Sequence, residues 1–220
     1  MSPRDRIIDA ALLVFRRHGF RRSSIEQAAK AAGLTRQALY HHFDSKEALF
    51  RAVIERLHAD ALAAEIAAAS ASEKAGGGLA DILVASFGAK LGHLAGALDG
   101  SPHVEELFSE HLVQARDLYQ KYAAIHAGQL AATIARVCRK QGLTFNAGMT
   151  PRELARCIEM AVNGTKSAYP ALQPANAFLK DLETMLRTLI AGAVSPARKP
   201  RAAKAKPVKK SIARKPGDRR

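Results

Sequence analysis

Apolar side chains recur at intervals of three and four along almost the whole chain, while alternating β-branched runs are nearly absent. That spacing is the mark of amphipathic helices, so the expected fold class is all-α. Glycine, proline and capping residues punctuate the pattern. A first helix is expected from Pro3 to His18, with Ile8, Ala11, Leu12 and Phe15 as its buried stripe and Gly19 as a left-handed stop. Ser24 with Gln27, or Ser23 with Glu26, forms a capping box opening a short helix to about Ala32. Gly33 and Leu34 lead to Thr35, an N-cap for a helix from Arg36 to Phe43, and Ser45 caps a long fourth helix from Lys46 to about Ser70. Beyond Ala75-Gly76-Gly77-Gly78, further helices are expected over about 79–98, 103–114, 115–141, 152–169 and 175–193.

With 220 residues the chain can bury a sizeable core in one or two domains. Its formal charge of +14 is distributed unevenly. Residues 1–50 hold 9 basic and 5 acidic groups, residues 51–195 hold 14 of each, and residues 196–220 hold 11 and 1. The excess therefore sits at the two ends, which points to a polyanionic partner. Two cysteines, Cys138 and Cys157, are too few for a disulfide framework and lack metal-ligand spacing. The first residues read as an early helix rather than a signal or transit peptide, and no uncharged apolar run is long enough to span a bilayer. A cytoplasmic protein with no membrane partner is expected.

Two short helices joined by Gly33-Leu34-Thr35, between longer apolar ones, form a helix-turn-helix pattern. On the second, Arg36, Gln37, Tyr40 and His41 share one half of the helical wheel, and Leu39 and Phe43 share the other. A reader of the DNA major groove needs this division. Arginine can bridge the acceptors of guanine, glutamine can pair with adenine, and tyrosine or histidine can reach phosphates or thymine methyls. Ser24 and Lys46, at helix starts, would add phosphate contacts. A merely solvated polar face is the bland alternative.

Residues 7–50 say more. Gly19-Phe20, Ser23-Ser24-Ile25, Ala32-Gly33-Leu34-Thr35, Leu39-Tyr40-His41-His42-Phe43 and Ser45-Lys46-Glu47 together resemble the TetR family of bacterial transcription regulators. The resemblance implies a homodimer with a helix-turn-helix DNA-binding domain over 1–46 and a helical ligand-binding and dimerisation domain over 47–195. The Lys-, Arg-, Ala- and Pro-rich composition of 196–220, which the family pattern lacks, marks a disordered basic tail. Carried over by position, Ser24, Thr35, Arg36, Gln37, Tyr40, His41, His42 and Lys46 are the implied contacts to a double-stranded DNA operator. Gln37 stands where such proteins often carry glycine.

Helices over 152–169 and 175–193, with small residues Ala161, Gly164 and Ala168, could pair with a second copy as a four-helix interface. Between residues 79 and 141, His93, His103, His111, Tyr119, Tyr122 and His126 interrupt apolar faces and are candidates to line a pocket for a small-molecule effector of unknown identity. His103, Glu110 and His111 are too sparse a set to assign a metal, and no cofactor is expected. No nucleophile elbow, zinc-hydrolase motif or phosphate-binding loop is present, so the chain does not read as an enzyme. The expectation is a sequence-specific repressor released from a palindromic operator by its effector. The alternative is a nucleoid-associated architectural protein that grips DNA mainly through the basic tail.

Overall fold

The computed structural model describes residues 2–197. The chain folds into α1 (Pro3–Arg22), α2 (Ile25–Ala31), α3 (Arg36–Tyr40), α4 (Lys46–Lys74), α5 (Leu79–Leu98), α6 (Val104–Gln114), α7 (Arg116–Gln141), α8 (Pro151–Ala168) and α9 (Ala175–Ala193). The all-α expectation holds, and the helix starts follow the caps read from the sequence. Ser24, Thr35 and Ser45 each accept a hydrogen bond from an amide in the first turn of the helix they precede, and Thr150, not among the expected caps, does the same for α8. Gly19 leaves the helical path at φ 74°, but the chain then completes another turn to Arg22, so α1 is longer than expected. A side chain at Gly19 would also strike the Glu106 carboxylate. The carboxylate is the movable end of its side chain, so it is the positive φ that calls for glycine there.

Two departures concern short segments. Leu143–Phe145 (β1) and Val194–Pro196 (β2) pair antiparallel, with Thr144 opposite Ser195. Three-residue strands are too short to leave a period-two signal. Pro196 and Ala197, assigned to the basic tail by composition, are tied to the body, and the Ala197 N–H donates to the Gly142 carbonyl at 2.8 Å. The remainder of the expected tail, 198–220, lies outside the described residues.

The core has two centres. One gathers Phe15, Phe20, Leu39, Leu49 and Phe50 from α1 to α4 and continues into Leu98, Leu107 and Leu118. Phe15 and Phe50 meet edge to face with centroids 5.2 Å apart. The other joins α5, α7, α8 and α9 through Ile82, Leu91, Ile134, Ile158, Phe178 and Leu186. The helix α4 belongs to both, and its 29 residues make a strut about 43 Å long at 1.5 Å per residue. A rigid rod shared by two cores couples the N-terminal helices to everything behind them.

Candidate nucleic-acid interface and internal cavity

The turn between α2 and α3 sets the geometry of the N-terminal head. Ser24 closes a full capping box, its hydroxyl accepting from the Gln27 amide at 3.3 Å while Gln27 Oε1 accepts from the Ser24 amide at 2.8 Å. Thr35 Oγ1 accepts from the Ala38 amide at 3.1 Å. Leu39 and Phe43 are buried, which fixes the rotation of α3 and leaves Thr35, Arg36, Gln37, Tyr40, His41 and His42 exposed together. The helix ends at Tyr40 rather than Phe43, because the chain must become extended at Ser45 (φ −154°) to cap α4. His41 and His42 therefore sit in the following turn.

Arg36 is oriented within this face. Its Nη2 lies 3.4 Å from the Tyr40 hydroxyl, its guanidinium carbon sits 5.4 Å from the Tyr40 ring centroid, and it forms an ion pair with Glu26 of α2. Both partners of that ion pair are exposed, so it is weak and a nucleic-acid acceptor can replace it. Lys46 is placed differently from the expected phosphate contact. Its ammonium donates to the carbonyls of Phe20 at 3.0 Å and Ser23 at 3.2 Å and lies 4.5 Å from the Phe20 ring centroid. These bonds hold the α1–α2 turn against the start of α4.

The head is clamped to α6 and its flanking turns. The Arg21 amide donates to Glu106 Oε1 at 2.8 Å, and Arg21 Nε donates to Glu110 Oε1 at 2.9 Å, where Glu110 is buried. Arg51 of α4 makes a bidentate pair with Asp117 at 2.7 and 2.6 Å and also donates to the Gln114 carbonyl at 2.6 Å. The Arg51 guanidinium holds the Asp117 carboxyl down at about 2.

Behind α6 lies a partly open cavity of about 560 Å³ lined by α4, α5, α6, α7 and α8, a size suited to a drug-like ligand. His111, Tyr119, Tyr122 and His126 stand on its wall, whereas His93 and His103 do not. His103 sits at the start of α6, with Nδ1 3.6 Å from Glu106. His111 Nε2 meets His58 Nε2 of α4 at 3.0 Å, and His58 stacks on Tyr122 with centroids 5.1 Å apart. Burial is the main cause that pushes both imidazoles down to about 4, so both are neutral and one N–H donates to the other's lone pair. A smaller apolar void of about 60 Å³ shares this pair and reaches Phe15 and Phe50.

On and behind the cavity wall lie groups that sequence reasoning did not single out. Glu65 is buried and accepts from Ser86 Oγ at 3.3 Å, with Lys90 Nζ at 3.4 Å and His126 Nδ1 at 2.7 Å, the last without N–H alignment. Burial pushes the Glu65 carboxyl up, but His126 and Lys90 outweigh it and hold it below its ordinary value. Lys166 of α8 lines the cavity as well. One signal for it was present, since Ile158, Val162 and Lys166 occupy one row of the helix at i, i+4, i+8. Among the described residues no three histidine, cysteine or acidic side chains are grouped to hold a metal, and no helix is long and apolar enough to cross a membrane. Glu110 and His111, weighed with His103 as possible ligands, turn instead to Arg21 and His58.

A capped helix-turn-helix head thus presents an exposed polar helix on a helical body that holds a cavity. Residues 7–53 match the family of bacterial regulatory proteins, tetR family. The regulator SrpR of Pseudomonas putida is 47% identical over 51 residues, which span 23% of this chain and 24% of SrpR. The matched segment covers about a quarter of the length of such relatives. The solved structure of GusR from Salmonella enterica covers 86% of this chain and 95% of its own, at 27% identity and a TM-score of 0.56. FadR of Bacillus subtilis, solved in complex with stearoyl-CoA, shares the fold at 17% identity and a TM-score of 0.64, over 86% of this chain and 98% of its own. The family match is confined to residues 7–53, and over the rest of the chain the likeness is one of fold.

Proposed function

We propose that this protein is a homodimeric, sequence-specific DNA-binding repressor, with residues 1–46 as the reading head and 47–195 as the ligand-binding and dimerisation body. The observation that carries the reading is the face of α3. Leu39 and Phe43 are locked in the core, and that burial turns Thr35, Arg36, Gln37, Tyr40, His41 and His42 outward together. An arginine, a glutamine and an aromatic hydroxyl on one short exposed helix match the donor and acceptor pattern of base edges in the major groove.

A second copy would dock on the outer faces of α8 and α9. Met160 is 64% exposed and Met185 45% exposed, and the small residues Gly164 and Ala168 of α8 and Ala191 and Gly192 of α9 are exposed as well. Close helix approach over such a face builds a four-helix interface. Two heads then meet half-sites about 34–36 Å apart, one turn of the duplex.

Release follows from the connections behind the head. A small molecule in the cavity touches α6 through His111, and α6 holds α1 through Glu106 and Glu110. A ligand that prefers one position of α6 therefore prefers one spacing of the two heads, which is the requirement for allosteric release. Footprinting on genomic fragments tests the proposal. Protection of short symmetric sites by a protein that sediments as a dimer is expected. Diffuse protection without symmetry would favour architectural coating by the basic tail.

A further inference from the structure

The cavity wall carries polar groups that lack partners. Among the described residues, Lys166 has neither a hydrogen-bond acceptor nor a carboxylate within 4.0 Å. Burial, reinforced by the nearby Lys90 ammonium, pushes it down to about 8. His126 is 6% exposed, and its Nε2 also has no partner while the ring stands on the cavity wall. Unpaired polar groups are costly inside a protein and are normally satisfied.

The two carboxylates on or near the wall do not fill that role. Glu65 is engaged by Lys90 and Ser86. Glu159 precedes Lys166 by seven residues on α8, which separates them by about 10 Å along the helix. Its charge acts on Lys90 instead. The same cavity is lined by apolar side chains, Phe87, Leu91, Leu94 and Phe108, and Phe87 meets His126 edge to face with centroids 5.0 Å apart.

We infer that the effector is an amphipathic monocarboxylate, with its carboxylate on Lys166 and the His126 imidazole and its apolar body among Phe87, Leu91, Leu94 and Phe108. One unpaired ammonium suits a single negative charge, and the Glu159 carboxylate disfavours a dianion such as a phosphate monoester. A carboxylate supplies Lys166 with a counter-charge in place of the hydration that burial removes. This inference rests on the proposed reading of the cavity as an effector site.

The test compares two acids with their neutral amides: 1-naphthaleneacetate with 1-naphthaleneacetamide, and octanoate with octanamide. Binding to the full chain is measured by titration calorimetry. At least one acid is expected to bind about tenfold or more tighter than its amide, a preference of the size that charge-assisted hydrogen bonds supply. Lys166→Met levels the two affinities, and Lys166→Arg retains the preference, which guards against a variant that fails to fold. Equal affinity of acid and amide for the unmodified protein overturns the inference. So does an acid preference that survives in Lys166→Met, or no binding of either pair at millimolar concentration. The same acid is then added to the protein–DNA complex. Acid binding that leaves the DNA bound would sink the effector reading while the carboxylate site stands.

Discussion

His58 of α4 and His111 of α6 face each other Nε2 to Nε2 at 3.0 Å, where the large cavity meets the apolar core of the N-terminal helices. The contact joins the long strut to the helix that grips the head. It requires at least one ring to be neutral, because two imidazolium groups at that distance repel and neither can accept.

The pair makes stability depend on pH in a definite direction. Each imidazole lies at about 4 in the fold, against 6.5 ordinarily. Between those values the unfolded chain binds more protons, so stability is greatest above 6.5 and falls as the pH drops towards 4. The slope is on the order of 1.4 kcal/mol per pH unit for each ring at most. Thermal unfolding between pH 7.5 and 5 checks this, and His111→Phe should flatten the dependence. An unchanged slope in that variant would assign the effect to other groups.

Arg36→Ala should weaken binding to the footprinted site by about 1–3 kcal/mol and relax discrimination at one base position. Glu26→Ala removes the exposed carboxylate that pairs with Arg36 and should strengthen binding modestly. Quantitative gel shifts on a set of single-base operator variants measure both. Unaltered base preference in Arg36→Ala would move the reading face elsewhere.

Lys46→Met keeps the aliphatic stem and deletes the donors to the Phe20 and Ser23 carbonyls. It should destabilise the head by about 1–3 kcal/mol, as expected for bonds to a charged group, and weaken binding to all sequences alike. Calorimetric unfolding separates this role from a simple phosphate contact, which would leave the melting temperature in place.

Glu110→Gln removes the charge that Arg21 grips from the buried side of α6. Amide hydrogen exchange over Arg16–Ser23 should accelerate, since this clamp is among the few ties between the end of α1 and α6. Exchange as slow as in the unmodified protein would remove α6 as the transmitting element.

Deleting residues 198–220 removes all 11 basic groups found between 196 and 220. Binding to specific and nonspecific DNA should weaken together, and the salt dependence should flatten by about 0.9 in log–log slope for each phosphate that the protein no longer neutralises. Equal slopes for the two proteins would leave the tail without a role in DNA binding.

Much of the fold was legible because helix starts and stops are local. Ser24, Thr35 and Ser45 bond amides three residues away, and Gly19 changes direction through its own φ, so short sequence windows already contain the causes. The exposed face of α3 was legible for a similar reason, since the burial of Leu39 and Phe43 follows from helical spacing. The packing partners of polar groups are not local. Glu110 finds Arg21 across 89 positions and His58 finds His111 across 53, and no periodicity encodes either meeting. Thus the chain's own order of caps, stripes and glycines determined the helices and the reading face. Only tertiary packing decided that α4 and α8 would bring His58 and Lys166 to one cavity, because burial and pairing depend on which helices become neighbours.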